Sequence, residues 1–388
     1  MQTMALKWLW APRPTAINFL TACAAFALVL GLPLRSAEKW KMQYFYDKEG
    51  SQVAFTDIQC PSARRCVAAG ILQEGKGDKG VVVVTADGGA TWKLDEVKEH
   101  PISLFFLNEN IGWMVTDRGI WTTDETGRVW KKIKDQKDLV RVWFLNENHG
   151  FAIGAPKLVL ETNDGGHKWT PVPAADAAPS SSEGTTYYWI TFRDAEQGII
   201  VGSWGPPQRE GVLPDWMVPD RARYRNQYPN LLILLQTLDG GKTWTDVSRS
   251  LEGSLLRFRY GPSDYGLALF EYSNAADVPT ELVKMDLKTQ KNVVLYRNPE
   301  RAVRDCILLP SGEVILAATE RQGKSMLLPI PGKLKMMRGG ASSKTWLDMD
   351  VDYRAVATRA MLAAPDDLHM WVATDTGMIL NLTQQPAP

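Results

Sequence analysis

The sequence predicts an all-β protein, a seven-bladed β-propeller, and two repeated patterns together with the composition support that prediction. One pattern, Thr-x-Asp-x-Gly-x-x-Trp, occurs at 85–92, 162–169 and 237–244 with identical spacing, and a degraded copy covers 123–130. A motif that recurs at fixed spacing marks repeated supersecondary units. The 15 Trp and 31 Gly residues suit short strands, tight turns and large packed side chains.

Each full copy joins a β-rich run to a turn that needs glycine. The defining residues are Thr85, Asp87, Gly89 and Trp92; Thr162, Asp164, Gly166 and Trp169; and Thr237, Asp239, Gly241 and Trp244. Asp-Gly between two strands is a strong hairpin signal, because Gly accepts positive φ and Asp bonds to nearby backbone N–H groups. The Trp begins the next strand, where it can pack between neighbouring units. We therefore assign these acidic residues to turns and not to catalysis.

A second pattern precedes the motif and extends the repeat to units that lack it. Residues 106–112 and 144–150 read Phe-Leu-Asn-Glu-Asn-x-Gly and are near copies. The same outline of apolar run, polar turn and apolar run recurs at 57–66, 192–198, 260–266, 309–312 and 364–367. We therefore predict seven units, over 53–98, 101–137, 138–176, 187–250, 254–298, 301–351 and 354–383. Units of about 40–50 residues made of short strands indicate a β-propeller.

The seventh unit is one strand short, and the beginning of the chain offers the missing strand. After 378–382 only a polar tail with prolines follows, whereas 39–46 resembles the strand that follows the motif Trp in other units. We therefore predict that 39–46 forms the outer strand of the last blade, which closes the ring and covers exposed sheet edges. Residues 38–388 are then a single propeller domain.

The motif spacing breaks once, in unit four. Trp169 and Trp244 lie 75 residues apart, against 38 and 39 for the preceding intervals, and the excess is an insertion at 203–230. Long insertions in compact repeats are usually functional or disordered, and aromatic and arginine residues are favoured at protein interfaces. We predict partner contacts from Trp204, Trp216, Arg221, Arg223, Tyr224 and Arg225. The alternative is a surface loop packed on its own blade.

Residues 1–37 differ from the rest of the chain and have the pattern of an export signal. Lys7 and Arg13 precede an apolar run at 15–34, no acidic residue is present, and small residues near Ala37 offer a cut site. The run is long enough to remain as a membrane anchor, and the residues ending at Cys23 resemble a bacterial lipoprotein box. Cleavage, retention and lipidation stay open. All three place the remaining chain outside the cytoplasm, in the periplasm or an equivalent space.

Charge, cysteines and histidines limit the possible functions. Lys+Arg and Asp+Glu are equal at 44 each, so the chain has no overall basic field that would attract nucleic acid. Cys60 and Cys66 form a close pair, which favours a disulfide in an exported chain; the alternative is two half-buried thiols. The four His residues show no metal-ligand spacing. We predict no metal, no cofactor and no catalytic residue.

The Thr-x-Asp-x-Gly-x-x-Trp motif resembles the Asp-box, or BNR repeat, of sialidases, sortilin-type receptors and some glycan hydrolases. Combined with the signature at 144–154, the seven units resemble the photosystem II stability/assembly factor family of exported propellers over nearly all of 39–383. That resemblance implies a non-catalytic protein that binds protein partners and helps to assemble or stabilise a membrane complex. It also implies an arginine-rich patch. The candidates are Arg257, Arg259, Arg297, Arg301 and Arg304, and scattered solvated arginines are the alternative.

Two other classes of function stay open, and we expect a monomer in each case. A sialidase-like or other glycan hydrolase needs two converging carboxylates. Candidates are Asp57, Asp194, Asp264 and Asp305, although their sequence positions favour turn or capping roles. The Arg-Ile-Pro tripeptide that sialidases usually carry does not occur. The remaining class is an extracellular module that binds a soluble peptide or glycan on the same ring face.

Overall fold

A computed structural model of the chain describes residues 38–75, 77–205, 230–251, 253–272, 278–289, 291–320, 330–342 and 345–384. Residues Lys39–Thr383 form one compact unit. Met1–Glu38 and Gln384–Pro388 group separately and lie almost wholly outside the described residues. The described chain is built mainly of short strands.

Strand β1 (Glu38–Phe45) comes first, and five antiparallel sheets of consecutive strands follow it in the described chain. Sheet one contains β2 (Ser51–Gln59), β3 (Cys66–Glu74), β4 (Gly77–Thr85) and β5 (Lys93–Val97). Sheet two contains β6 (Pro101–Phe106), β7 (Gly112–Thr116), β8 (Gly119–Thr123) and β9 (Lys131–Asp135). Sheet three contains β10 (Leu139–Phe144), β11 (Gly150–Gly154), β12 (Leu158–Thr162) and β13 (Thr170–Pro171).

Sheets four and five continue the same up-and-down order. Sheet four contains β14 (Thr185–Phe192), β15 (Gly198–Trp204), β16 (Asn230–Thr237) and β17 (Thr245–Asp246), with β18 (Arg249–Leu251) also paired to β16. Sheet five contains β19 (Ser254–Tyr260), β20 (Tyr265–Glu271), β21 (Thr280–Asp286) and β22 (Asn292–Arg297). In sheet four the outer edge is therefore divided between two very short strands.

The sixth sheet is larger because strand β1 joins two groups of strands. Its other members are β23 (Arg301–Leu308), β24 (Glu313–Glu320), β25 (Gly332–Gly340), β26 (Trp346–Val351), β27 (Val356–Ala357), β28 (Ala360–Ala363), β29 (Trp371–Thr374) and β30 (Met378–Gln384). The order is β23-β24-β25-β26-β1-β30-β29-β28, with β27 paired to β25. Strand β1 runs parallel to β26, with Lys39 opposite Asp350, and the Thr383 hydroxyl donates to the Lys39 carbonyl at 3.1 Å.

A short helix that the sequence patterns did not indicate joins sheets three and four. Helix α1 (Pro173–Ala177) begins with Pro, whose fixed φ suits a first helical turn, and a 3-10 turn at Ser182–Gly184 follows. The buried ammonium group of Lys157 donates to three backbone carbonyls of this connection at 2.8–2.9 Å. The lysine therefore links this connection to the turn between β11 and β12 of sheet three.

Apolar side chains of neighbouring sheets form separate core layers, and a Trp from an outer hairpin completes most of them. Trp130 packs between sheets one and two, Trp169 between two and three, Trp244 between three and four, and Trp346 between five and six. Trp92 packs in the layer that sheet one shares with β28–β30, beside Tyr44 of β1. The layer between sheets four and five receives no hairpin Trp, because residues 286–297 contain none.

The turns of the three motif copies share one hydrogen-bond pattern. Thr85 Oγ1 donates to Asp87 Oδ1 at 2.8 Å and accepts from Gly89 N at 2.9 Å, and Asp87 Oδ1 accepts from Thr91 N at 2.9 Å. The copies at 162–169 and 237–244 repeat these bonds. Gly88 and Gly89 have φ of 75° and 90°, where a side chain is disfavoured. Each carboxylate thus holds the turn of its own hairpin.

These carboxylates make the hairpins sensitive to acid. Hydrogen bonds from Thr91 lower the pKa of Asp87 to about 2, and those from Thr243 lower the pKa of Asp239 to about 2. A depressed folded-state pKa adds stability above the unfolded value, and this stability is lost as pH falls from about 4 to 2. We expect the melting-temperature gap between the wild type and Asp87→Asn/Asp239→Asn to be largest above pH 4 and to close near pH 2.

Calorimetry between pH 6 and pH 2 measures this difference in melting temperature between the wild type and the double variant. Asp124→Asn, an exposed change in the degraded copy, reports the loss of a surface charge and of its solvent-exposed ion pair with Lys131 at 3.8 Å. A gap that stays constant from pH 6 to pH 2 contradicts the prediction.

Candidate functional site

A cavity of about 290 Å³ lies where the first strands of all six sheets and strand β28 come together. We call it the arginine cavity. Its charged and aromatic lining comprises Asp57, Arg141, Trp143, Trp189, Arg257, Arg259 and Asp305. Gln59 and Thr191 add polar groups, and Phe105 and Ile307 add apolar surface.

A bulge in each first strand determines which side chain enters the cavity. The pairing register shifts between Leu139 and Arg141 in β10 and between Leu255 and Arg257 in β19. Equivalent shifts come before Asp57, Trp189 and Asp305. Bulges redirect side chains, and beyond them the two-residue alternation of a strand resumes. Residues two positions further on, such as Arg259, therefore line the cavity as well.

Three arginines from two different sheets surround the indole of Trp189. The Cζ atoms of Arg141, Arg257 and Arg259 lie 4.5, 4.6 and 5.8 Å from its ring centroid. These distances are within the range of cation–π attraction. The indole N–H donates to the carbonyl of Phe258 at 2.9 Å, which fixes the plane of the ring. The ring therefore holds three guanidinium groups close together.

Asp57 links sheet one to sheet two and also faces an arginine. Its Oδ1 accepts from Ile58 N at 2.9 Å, and its Oδ2 accepts from Leu104 N of β6 at 3.0 Å. Arg141 Nη2 lies 3.6 Å from Oδ2. Both carboxylate oxygens thus already accept backbone hydrogen bonds, and one of them links two sheets.

Asp305 repeats this arrangement inside the sixth sheet. Its Oδ1 accepts from Cys306 N and its Oδ2 from Leu362 N of β28, both at 2.9 Å. Arg257 Nε and Arg259 Nη2 lie 3.4 and 3.5 Å from Oδ1. The two acidic residues therefore hold first strands together while they neutralise part of the arginine charge.

The surface that the cavity presents is cationic. Three guanidinium groups face two carboxylates, which leaves one positive charge in excess. The arginine side chains retain 17–27% exposure, whereas the two aspartates retain 8% and 4%, so the cations are the accessible groups. Burial lowers the pKa of Arg141, Asp57 opposes that shift, and the positive charges of Arg257 and Arg259 lower it further. An anion in the cavity would relieve this crowding of positive charge.

The structure brings two of the five arginine candidates into this site and places the other three elsewhere. Arg297 pairs with Glu281 at 3.0 Å, and Arg301 makes two bonds of 2.6 and 2.7 Å to Asp348. Arg304 Nε donates to Thr319 Oγ1 at 3.0 Å. Only Arg257 and Arg259 of that set line the arginine cavity.

Sequence analysis missed Arg141 and Trp189, which complete the site. Arg141, Trp189 and Arg257 each stand five residues before the second residue of the turn that follows their strand, which is Asn146, Asp194 or Pro262. An alignment of the units on that turn would have brought the three into register. The signal was therefore present in the second repeated pattern, at a position preceding the turn itself.

The four carboxylate candidates take different roles. Asp194 accepts two backbone N–H groups in a turn, as predicted, and Asp264 forms ion pairs with Arg193 and Lys288. The expectation of turn positions is wrong for Asp57 and Asp305, which lie inside β2 and β23. The bulge ahead of each aspartate directs its carboxylate to the next first strand.

The predicted partner contacts of the insertion lie mostly outside the described residues. These are Trp216, Arg221, Arg223, Tyr224 and Arg225. Trp204 ends strand β15, packs against the layer between sheets three and four, and donates its indole N–H to Ser181 Oγ at 2.9 Å. It is not a lining residue of the arginine cavity.

The described residues contain a disulfide but no group of metal-binding side chains. A disulfide joins Cys60 and Cys66 at the turn between β2 and β3. Among the described residues, no three His, Cys, Asp or Glu side chains form a group that could hold a metal ion. In that same part of the chain, no helix is sufficiently long and apolar to cross a membrane.

Known proteins share this architecture. A family model described as photosynthesis system II assembly factor YCF48 matches residues 122–206. The solved structure of YCF48 bound to D1 peptide is 13% identical in sequence to this chain and has a TM-score of 0.56. The match covers 88% of this chain and 99% of that one. This chain resembles the photosystem II assembly-factor propellers.

Two further structures show the same fold at low identity. YCF48 from Cyanidioschyzon merolae is 14% identical with a TM-score of 0.56, covering 88% of this chain and 98% of that one. The β-propeller domain of the Trilobed protease from Pyrococcus furiosus is 11% identical with a TM-score of 0.52, covering 86% and 96%. No curated protein sequence matches this chain. The fold is thus an all-β propeller with BNR-type repeats.

Proposed function

We propose that this chain is a non-catalytic, monomeric propeller that binds a protein partner through the arginine cavity and assists the assembly or stability of a membrane complex. The observation that carries the proposal is the gathering of Arg141, Arg257 and Arg259 on Trp189, with one positive charge in excess. Arginine pairs with planar carboxylates through two parallel hydrogen bonds, so a peptide carboxylate is a suitable ligand. The solved structure of YCF48 bound to D1 peptide supports a peptide as the kind of ligand.

The ring that we propose has seven blades. Sheets one to five each form one blade, β23–β26 form the sixth, and β28–β30 with β1 form the seventh. The position of β1 between β30 and β26 supports this closure. A strand from the chain's beginning would cover an edge that otherwise stays unpaired.

We propose that residues 1–37 export the chain, whether they are cleaved, lipidated or retained with 15–34 as an anchor. The disulfide between Cys60 and Cys66 supports an oxidising compartment, since such bonds persist mainly outside the cytosol. The insertion at 203–230 remains our candidate for a further partner contact.

A glycan hydrolase is the alternative, because two carboxylates do face one cavity. Their geometry favours the binding role, since all four oxygens of Asp57 and Asp305 already accept backbone N–H groups. A screen of sialosides and β-glucans distinguishes the two classes. Turnover that disappears in Asp57→Asn overturns the non-catalytic proposal.

The partner proposal predicts a large effect from two cavity arginines. We expect Arg257→Gln/Arg259→Gln to reduce the recovery of co-purifying membrane proteins at least tenfold, because each charge-assisted bond contributes roughly 1.5–3 kcal/mol. Affinity purification from solubilised membranes, with quantitative mass spectrometry, measures the recovery. Arg64→Gln/Arg128→Gln removes the same charge outside the cavity and should leave recovery unchanged. Equal recovery by the folded cavity variant contradicts the proposal.

A further inference from the structure

A second cavity, of about 310 Å³, lies between sheets four and five and shares no lining residue with the arginine cavity. We call it the hairpin cavity. Its walls are mainly apolar and include Leu232 and Leu234 of β16 with Phe270 and Met285 of sheet five. This volume is roughly twice that of an apolar protein cavity that stays dry and accepts benzene, about 150 Å³.

The hairpin cavity exists because the fifth repeat lacks the motif. In the neighbouring layers a Trp from the outer hairpin fills the space between sheets, as Trp244 and Trp346 do. The hairpin after β21 carries Leu287 at its turn and has no Trp up to residue 297. Leu287 lines the cavity but is 38% exposed, so it does not fill the space.

The apolar walls remain incompletely covered as a result. Leu234, Phe270 and Met285 are only partly buried, although they pack against the core layer of sheets four and five. Side chains beside a void lose the dispersion contacts that a packed neighbour would supply. An apolar group of matching size would restore those contacts.

The mouth of the cavity carries a positive charge without a partner. Arg249 pairs directly with Leu232 across β16 and β18, so both side chains lie on the same face. The Arg249 side chain is exposed, and within the described chain its guanidinium has no ion pair or hydrogen bond. Asp286 also lines the cavity, but within the described chain it forms no ion pair with Arg249, and its Oδ1 accepts from Lys288 N and Thr289 N.

We propose that the hairpin cavity is a binding site for an apolar monocarboxylate of about ten carbon atoms, because pockets of about 300 Å³ accept small ligands. The alkyl chain occupies the space that a hairpin Trp fills in other layers. The carboxylate lies against Arg249. The site is distinct from the partner-binding cavity in both position and ligand size.

Titration calorimetry with hexanoate, octanoate and decanoate tests this assignment on the folded protein. We expect saturable one-to-one binding that tightens about fourfold with each added methylene. Decanol, which lacks the charge, and Arg249→Gln should each weaken binding about tenfold. Leu287→Trp places an indole at the mouth of the cavity and should abolish decanoate binding.

Matched variants separate this site from surface charge and from the partner site. Arg128→Gln removes an exposed arginine of another outer hairpin, and Arg257→Gln/Arg259→Gln alters the arginine cavity; both should bind decanoate as the wild type does. Thermal melting confirms that each variant is folded. Absent binding, equal binding of hexanoate and decanoate, or unchanged binding by both Arg249→Gln and Leu287→Trp overturns the proposal.

Discussion

Replacing Asp305 by Ala is expected to lower the free energy of unfolding by about 3 kcal/mol, the low end for breaking a buried ion pair. The substitution removes the acceptor for two backbone N–H groups, one of which belongs to strand β28. It also leaves Arg257 and Arg259 without their carboxylate, although their 24% and 27% exposure lets water offset part of the loss. Urea denaturation followed by Trp fluorescence measures the change.

Ser103 supplies the matched control for this experiment. It occupies the corresponding post-bulge position of β6, where its hydroxyl donates to the Val140 carbonyl at 2.8 Å and carries no charge. Ser103→Ala should therefore cost only about 1 kcal/mol, the usual value for one hydrogen bond. Equal losses of unfolding free energy for Asp305→Ala and Ser103→Ala would show that the charge and the second backbone hydrogen bond of Asp305 add no stability.

The repeated strand arrangement could be predicted because its signals are local. A turn such as that after Thr85 needs glycines at positive φ and a side chain that bonds to its own backbone, and both requirements appear within eight residues of sequence. The alternation of apolar runs and polar turns then gives the order of the strands. The helix at Pro173–Ala177 was missed because its single turn is too short to show a helical period.

The arginine cavity could be predicted only in part, because it depends on contacts between residues far apart in sequence. Arg141 and Arg257 meet at Trp189 although 116 positions separate them. Bulges determine which side chains enter the arginine cavity, and no residue type marks a bulge in the sequence. Asp57 looked like a turn residue for the same reason, since its bond to Leu104 crosses between two sheets.

Replacing Trp244 by Ala is expected to lower the free energy of unfolding by about 3–5 kcal/mol, the usual cost of removing a large core aromatic side chain. Its indole packs edge-on against Phe151 and Phe192, with ring centroids 5.6 and 6.0 Å apart. A Cβ added at Gly241 would come within 2.1 Å of Phe151, so the hairpin itself already lies tightly against this ring. Urea denaturation with near-ultraviolet circular dichroism measures the loss and reports whether the aromatic layer stays ordered.

Trp244→Phe separates packing from hydrogen bonding in the same layer. The Trp244 indole nitrogen is buried and has no hydrogen-bond partner in the described structure, so Phe removes volume without breaking a bond. We expect a smaller loss of unfolding free energy than for Trp244→Ala, because Phe keeps part of the aromatic volume and leaves a smaller cavity. A loss below 1 kcal/mol for Trp244→Ala would mean that hairpin tryptophans do not fill these layers. The absence of one between sheets four and five would then no longer explain the hairpin cavity, so this variant also tests the packing argument on which that binding site depends.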